Sequence, residues 1–477
     1  MTEFPTLAPL DLAIIIFYVI ANATVGFVSF RKIKKHSTEE EEFLLAGRTL
    51  TLPAFVATVV STWYGGIIGV GEYVYDNGIV MWVVFGIPYY VAALIFAGIL
   101  AKRVNSDRVH LSIPDRMRAE YGSKAGYLSA IATMFMTSPA AYIMELGVLY
   151  QWFFGINYWF SIAIAIITSI SYLFVGGFRS SIRTDILQFI MMFGGFAVII
   201  PMVFSNYGGF SFLHTHLKPS HLLPFGTFSI WYVLVWYIAA LSTLTDPNIH
   251  QRVFAARSVK VAKRGMLVAV VFWLIFDAMT NVAGLYARAA FPNLQSSKFA
   301  YPALAEKILP MGLKGVFYTG MLATVLSTVD SFFFMSATII GRDILWRIWG
   351  GDEHDRVKRY TRIGLVVTAI ISVVVVSMSQ HIYTIWYSFA SVLVPMLLFP
   401  LVLSYFPKWK PGSRSAELSM IAGGLTALAA YSVGSFRGDT ITPNYIFGIE
   451  PMYVGMICSI IPIVLGRLGH KASRDTV

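Results

Sequence analysis

Charged residues are scarce in this chain of 477 residues, at 13% of the total, whereas 57% of the residues are hydrophobic. An average soluble domain is roughly 25% charged. So few charged groups cannot cover a soluble surface of this size, because large apolar exteriors aggregate. The composition therefore excludes a soluble enzyme. It also argues against a nucleic-acid partner, because the net charge of +11 comes from too few groups to form a basic groove.

Cysteine is almost absent, and so are the common catalytic motifs. The single Cys458 excludes a disulfide framework and a cysteine-rich metal site. The chain contains no His-Glu-x-x-His pair, no Gly-x-Ser-x-Gly turn and no P-loop. These absences argue against an enzyme embedded in a membrane and indicate no organic cofactor.

Long apolar runs are what the sequence has instead, and each is at or near the roughly 20 residues that a membrane-spanning helix needs. Two of the runs carry one acid each, Asp277 and Asp330. We therefore predict an all-α polytopic protein of the lipid bilayer with about thirteen transmembrane helices. The runs are 12–30, 49–71, 78–101, 125–144, 146–178, 186–217, 219–245, 265–288, 315–341, 363–407 (two spans), 418–436 and 451–466.

Lysine and arginine gather on one side of this predicted topology. If the N-terminus lies outside, the cytoplasmic loops and tail hold 30 of the 36 basic residues, including those in loop 250–264. Cytoplasmic loops of membrane proteins carry such an excess of Lys and Arg. The bias predicts a multi-pass protein of the cell membrane, with its N-terminus outside and its C-terminus in the cytoplasm.

Six acidic residues lie in the spans or at their ends, and no Lys or Arg lies mid-span to neutralise them. A charge in the bilayer is costly and usually has a function. Such acids need a proton, water or a bound cation, which is a first indication of Na+ or H+ chemistry. For any single acid, a hydrogen-bonded or interfacial role is the alternative. These residues are Glu72, Glu145, Asp185, Asp246, Asp277 and Asp330.

The second span contains small residues where a helix can unwind. Residues 61–66 read Ser-Thr-Trp-Tyr-Gly-Gly, and Gly69 and Gly71 follow. A break at this depth exposes backbone carbonyls that can hold a cation, and it is tolerated where it lines a cavity. Close packing of helices on small residues is the alternative.

The ninth span concentrates polar side chains on one arc, with Asp330 beside them. Hard oxygen ligands of this kind suit a small hard cation such as Na+. Hydrogen bonds from these hydroxyls to carbonyls of their own helix are the alternative. The hydroxyl residues on the arc are Thr324, Ser327, Thr328 and Ser331.

Four motifs together resemble the sodium/solute symporter family, which includes sodium-coupled proline, sugar, sialic acid, pantothenate and choline carriers. The resemblance covers about residues 10–467. It rests on the broken second span, on Gly-Gly-Phe at 176–178 with Arg-Thr-Asp at 183–185, on residues 246–258, and on Leu-Ser-Thr at 326–328 with Gly-Arg-Asp-Ile at 341–344.

The resemblance implies the leucine-transporter fold, with two inverted five-helix repeats and alternating access driven by Na+. An extra helix and a loop would occupy residues 1–48, and the first repeat residues 49–207. An extracellular loop and the second repeat would occupy 208–407. Two peripheral helices and a cytoplasmic tail would occupy 408–477.

The resemblance also implies a main sodium site with no net ligand charge. The ion would be held by backbone carbonyls of Ala57, Val60 and Thr324, with the hydroxyls of Ser327 and Thr328.

Some family members have a second sodium site, and its acid matches Asp185. Its remaining positions match Ser327, Asp330 and Ser331, with an acid at Asp330 in place of a hydroxyl. Two nearby carboxylates either share a proton or clamp a cation, so we predict a second site for Na+ or H+. A salt bridge from Asp330 to Arg183 is the alternative.

By family position, the substrate pocket contains Ser61, Trp63, Tyr64, Tyr142 and Asp246. Aromatic faces with an acid attract an ammonium group, which favours an amine or amino acid as the small organic solute. Asp246 precedes Pro247, so it could instead cap a helix or bind an inner-gate arginine. A Na+-coupled carrier of a sugar or a carboxylate is a further alternative.

Two other classes of membrane protein remain open. A transporter-like sensor would act through a partner protein, because the tail after Gly466 has only 11 residues. A channel would pass Na+ without a solute, whereas a symporter takes up Na+ only together with its solute.

Overall fold

The computed structural model describes residues 7–28, 39–349, 356–378, 381–438 and 444–472, and within these ranges the chain forms helices and no strand. The first ten α-helices are α1 (Pro9–Val28), α2 (Glu39–Leu45), α3 (Leu52–Trp63), α4 (Ile67–Asn77), α5 (Ile87–Ile95), α6 (Ala101–Ser106), α7 (Ile113–Tyr121), α8 (Ser123–Met136), α9 (Ala140–Phe154) and α10 (Tyr158–Tyr207). The next six are α11 (Ser211–His216), α12 (Pro219–Leu222), α13 (Ile230–Ala239), α14 (Pro247–Ala255), α15 (Val259–Ala290) and α16 (Ala300–Ile308). The last six are α17 (Leu313–Thr338), α18 (Arg347–Trp349), α19 (Arg356–Met378), α20 (Ile382–Ser404), α21 (Ser413–Arg437) and α22 (Pro451–Ala472).

Ten helices of the described residues are long and apolar enough to cross a membrane, or eleven if α3 and α4 form one bent span. The predicted all-α membrane architecture is therefore confirmed. Two of the predicted spans are shorter. One is the apolar first part of α10, Tyr158–Ile170, which precedes the non-helical backbone of Gly177, and the other is α13 with the 3-10 turn Ala240–Leu244. The count of thirteen spans stays a prediction.

The second predicted span is broken, as its small residues indicate. Helix α3 ends at Trp63, α4 begins at Ile67, and the two are bent by 53°. Gly65 in the break lies against α17, because a Cβ atom on it would stand 2.0 Å from the Thr328 hydroxyl oxygen. Only a glycine allows this approach, which puts the break next to the polar arc of α17.

A second break follows α13, where the chain turns into α14. Pro247 occupies the first turn of α14, a position that suits proline because its missing N–H has no helical partner there. The Asp246 side chain accepts a hydrogen bond from the Ile249 N–H at 2.9 Å and so caps the helix. Of the roles that the sequence left open for Asp246, the structure therefore shows the helix cap.

Helix α17 lies at the centre of the molecule, packed against α1, α3, α9 and α10. Its backbone comes close to that of α10 where Gly195 faces Gly320, because a Cβ atom on Gly195 would lie 2.8 Å from the Cα atom of Gly320. The two helices that carry Asp185 and the polar arc are therefore closely packed.

Replacing Gly195 with Ala is expected to lower the melting temperature of the purified protein in detergent, because backbone atoms of α17 occupy the space of the new methyl group. Overpacking of this kind costs about 1–3 kcal/mol. Gly194→Ala is the matched control, since Gly194 is exposed and a Cβ atom on it meets nothing within 4 Å. Equal melting temperatures for the two variants would contradict the close contact.

Candidate functional site

Hydroxyl groups of α17 meet the end of α3 beside the first break. The Ser327 hydroxyl oxygen lies 2.9 Å from that of Ser61 and 2.7 Å from the Asp185 carboxylate, to which it donates. Thr328 donates to the backbone carbonyl of Thr62 at 2.7 Å. We call these residues, Ser61, Thr62, Asp185, Ser327 and Thr328, the hydroxyl cluster. All of them are buried.

The five residues predicted for the main sodium site lie on the two helices that form this contact. Ala57 and Val60 are on α3, and Thr324 is on α17 with Ser327 and Thr328; all five are buried. The Ala57 carbonyl accepts a hydrogen bond from Ser61 at 2.8 Å. The Thr324 hydroxyl donates to the Gly320 carbonyl of its own helix at 2.7 Å. The group of Thr324 that is predicted to bind Na+ is its backbone carbonyl, not this hydroxyl.

Asp185 has a basic partner that the sequence analysis missed. The Arg252 guanidinium is 1% exposed and forms an ion pair with the Asp185 carboxylate at 3.5 Å. Thr58 donates a hydrogen bond to the same carboxylate oxygen. The expectation that no basic group neutralises the acids is therefore wrong here. Arg252 was placed in cytoplasmic loop 250–264, but α14 carries it into the protein core.

The second predicted cation site is brought together in part. Asp185 and Ser327 are hydrogen-bonded, and the Ser331 hydroxyl accepts a hydrogen bond from Arg252 at 2.8 Å. Asp330 is buried. Arg183, the alternative partner of Asp330, is exposed.

A cavity of about 190 Å³ lies beside the first break, and Thr62 of the hydroxyl cluster is among its lining residues. Four of the five residues predicted for the substrate pocket line it: Trp63, Tyr64, Tyr142 and Asp246. Ser61 instead belongs to the hydroxyl cluster. The aromatic residues that line the cavity are Trp63, Tyr64, Phe85, Tyr89, Tyr90, Tyr142, Trp273, Phe332, Trp386 and Phe389.

Asp277 also lines this cavity, and the sequence analysis did not place it there. Each of its carboxylate oxygens accepts a hydrogen bond from one tyrosine, Tyr64 at the break and Tyr90 on α5. The Tyr64 hydroxyl also lies 3.0 Å from that of Thr280. The only signal in the sequence was a lone acid in an apolar span, which identifies no partner.

Two other acids of the predicted spans, Glu145 and Glu72, are paired with backbone N–H groups and with a histidine. Glu145 accepts hydrogen bonds from the backbone N–H groups of Ile68 (3.0 Å) and Gly69 (3.3 Å), in the first turn of α4. Glu72 lies 2.7 Å from His381. Among the residues that the structure describes, no group of three or more His, Cys, Asp or Glu is arranged to hold a metal ion.

The sequence profile of the sodium:solute symporter family matches residues 43–423. The chain belongs to this family. The symporter is 24% identical to the sodium/pantothenate symporter of Haemophilus influenzae, over 87% of its own length and 89% of the relative's. It is 25% identical to the high-affinity choline transporter 1 of Drosophila melanogaster, over 95% of its own length and 76% of the relative's.

Solved structures establish the fold of the symporter. A Na+-coupled sialic acid symporter in a substrate-bound, outward-open state matches it with a TM-score of 0.77 at 18% identity, covering 97% of this chain and 98% of that one. Inward-facing Mhp1 matches with a TM-score of 0.57 at 10% identity, covering 92% and 96%. The predicted leucine-transporter fold is thereby confirmed. The protein is a multi-pass membrane transporter, not an enzyme, and it couples Na+ to the symport of a small organic solute.

The hydrogen bond from Tyr64 to Asp277 is expected to stabilise the cavity wall measurably. In a double-mutant cycle of Tyr64→Phe and Asp277→Asn, the losses of unfolding free energy in the two single variants should be non-additive by at least about 1 kcal/mol, as is typical of hydrogen bonds to charged groups. The measurement is reversible unfolding of the purified protein in SDS.

Tyr121→Phe provides the control for this cycle, because the Tyr121 hydroxyl donates to the distant carbonyl of Pro400 at 3.0 Å. When Tyr121→Phe is combined with Asp277→Asn, the two losses of unfolding free energy should add within about 0.5 kcal/mol. Additivity of the Tyr64 and Asp277 losses would show that the bond contributes nothing.

Proposed function

We propose that Na+ binds between α3 and α17, coordinated by the carbonyls of Ala57, Val60 and Thr324 and the hydroxyls of Ser327 and Thr328. The hydroxyl cluster supports this site, because Ser327 and Thr328 contact the last two turns of α3, which also carry Ala57 and Val60. Neutral oxygen ligands add no net charge, so the ion can be released again on the other side.

The solute occupies the cavity beside this site, and we propose that it is a small organic solute that carries an ammonium group, such as an amine or an amino acid. The observation that carries this proposal is the lining: ten aromatic rings with Asp246 and Asp277, and no Lys, Arg or His among the described residues of the wall. Aromatic faces and carboxylates attract an ammonium group in a desolvated site. The aromatic wall is also continuous, since Trp63 packs on Tyr89 and Trp273 at ring distances of 5.3 and 5.4 Å.

A carboxylate solute is the less favoured candidate for this cavity. The N-terminus of a broken helix can bind a carboxylate through its free N–H groups. In α4, however, the side chain of Glu145 already accepts hydrogen bonds from the Ile68 and Gly69 N–H groups. A carboxylate that entered there would meet a like charge.

We further propose a second cation site formed by Asp185, Ser327, Asp330 and Ser331, for Na+ or H+. Alternating access then involves the two inverted repeats, residues 49–207 and 227–407, with solute and ions bound at the two breaks. The excess of basic residues in the predicted cytoplasmic loops supports an external N-terminus in the cell membrane.

Replacing Thr328 with Val should raise the Na+ concentration for half-maximal uptake at least about tenfold, because one charge–dipole ligand worth roughly 1.4 kcal/mol is lost. Proteoliposomes with a set Na+ gradient provide the measurement. The control is Thr319→Val, on the same helix and also buried. Unchanged Na+ dependence of Thr328→Val would contradict the main site.

Solute-dependent 22Na+ uptake into proteoliposomes, screened over amines, amino acids, sugars and carboxylates, tests the substrate class. An amine or an amino acid should drive uptake, and Asp246→Asn should reduce its apparent affinity by about tenfold or more, because the ammonium group loses one charge interaction. Uptake with sugars or dianions alone would overturn the proposed ammonium-bearing solute. Na+ flux without any solute would indicate a channel, and no flux under any condition a sensor.

A further inference from the structure

The side chain of Arg252 lies among the groups of the proposed second cation site. Its Nη2 atom is 2.8 Å from the Ser331 hydroxyl and 3.5 Å from the Asp185 carboxylate. The same nitrogen donates to Thr62 at 2.7 Å, and Nε donates to Thr58 at 3.1 Å. The guanidinium thus stands where a cation held by Asp185 and Ser331 would need to be.

We propose that Arg252 is a tethered counter-ion, which neutralises Asp185 in this conformation and is exchanged for a bound cation in another. The inference rests on the proposed function, because it takes Asp185 and Ser331 as ligands of the second cation. It adds that cation binding and the ion pair between Asp185 and Arg252 exclude each other.

Electrostatics makes the exchange necessary. Asp185 is completely buried, and a buried carboxylate that loses its partner is strongly destabilised. Withdrawal of Arg252 without a replacement would therefore be unfavourable. A cation that arrives as the arginine leaves keeps the charge of Asp185 compensated throughout.

The cation ligands and the arginine lie on different helices. Asp185 and Ser331 are on α10 and α17, which are packed together at Gly195 and Gly320. Arg252 is on α14, which begins at the second break, and its other hydroxyl contacts are on α3, which ends at the first. A movement at the two breaks can withdraw the guanidinium while the cation ligands stay in place.

The ion pair then sets the apparent Na+ affinity of the second site. If Arg252 occupies the site most of the time, the apparent Kd is the intrinsic Kd divided by the small fraction of molecules in which the site is open. Removing the guanidinium charge removes this competition, so Na+ should bind more tightly and not more weakly.

The experiment is equilibrium 22Na+ binding to the purified full chain, without solute, for the wild type and Arg252→Gln. Glutamine keeps hydrogen-bonding groups and removes the charge. We expect either one additional Na+ bound or an apparent Kd lowered at least about tenfold, the gain for a site that is open about a tenth of the time. The gain in Na+ binding should disappear when Arg252→Gln is combined with Asp185→Asn. Arg252→Lys keeps the positive charge and should show a smaller gain in Na+ binding.

Unchanged Na+ binding in Arg252→Gln would overturn the tethered counter-ion. Thr328→Val, measured in parallel, separates this failure from that of the proposed function, because loss of its main-site Na+ does not depend on Arg252. If Arg252→Gln is unstable, its melting temperature in NaCl and KCl decides instead. Selective stabilisation by Na+, larger than in the wild type, supports the exchange, and equal instability in both salts overturns it.

Discussion

A carboxylate stays ionised in the interior of a membrane protein only if the protein supplies the positive charge or the hydrogen bonds that water would have supplied. This constraint accounts for much of the architecture around the centre of the chain. The first turn of α4 donates two backbone N–H groups to Glu145, and the first turn of α14 donates one to Asp246. Asp277 accepts from two tyrosines, and Asp185 is paired with Arg252.

The two helix breaks connect this constraint to transport. Each break begins a new helix whose first N–H groups face an acid, and each leaves polar backbone groups at the depth where a cation and a solute can be bound. Gly65 lets the first break approach Thr328, whose hydroxyl donates to the Thr62 carbonyl at the end of α3. The cavity beside this break combines aromatic rings with Asp246 and Asp277. The proposed ion site and the proposed solute site therefore share the residues around the first break, which would be a physical basis for their coupling.

Local sequence patterns predicted the features that depend on a few neighbouring residues. The paired glycines indicated the break in the second span, Pro247 left open a helix capped by Asp246, and the polar arc indicated a face of α17 with oxygen ligands. The pocket residues came from the family resemblance, and four of the five line the cavity because they lie at or beside the breaks or on the helix that faces them.

Long-range pairing was out of reach for the same analysis. Arg252 belongs to a basic stretch that looks like a cytoplasmic loop, and only the path of α14 shows that it pairs with Asp185, 67 residues away in sequence. Asp277 meets Tyr64 and Tyr90 across distances of about two hundred residues, 213 and 187. Ser61 was predicted to face the solute, but the direction of its side chain at the end of α3 turns it toward Ser327.

The central claim is that Na+ binds at the contact of the first break with α17, and cryo-electron microscopy of the purified full chain in NaCl and in KCl tests it most directly. The account predicts density in NaCl, absent in KCl, enclosed by the carbonyls of Ala57, Val60 and Thr324 and the hydroxyls of Ser327 and Thr328. The same density in both salts would contradict the account. So would a Na+-dependent density elsewhere, with Thr328 still hydrogen-bonded to the Thr62 carbonyl.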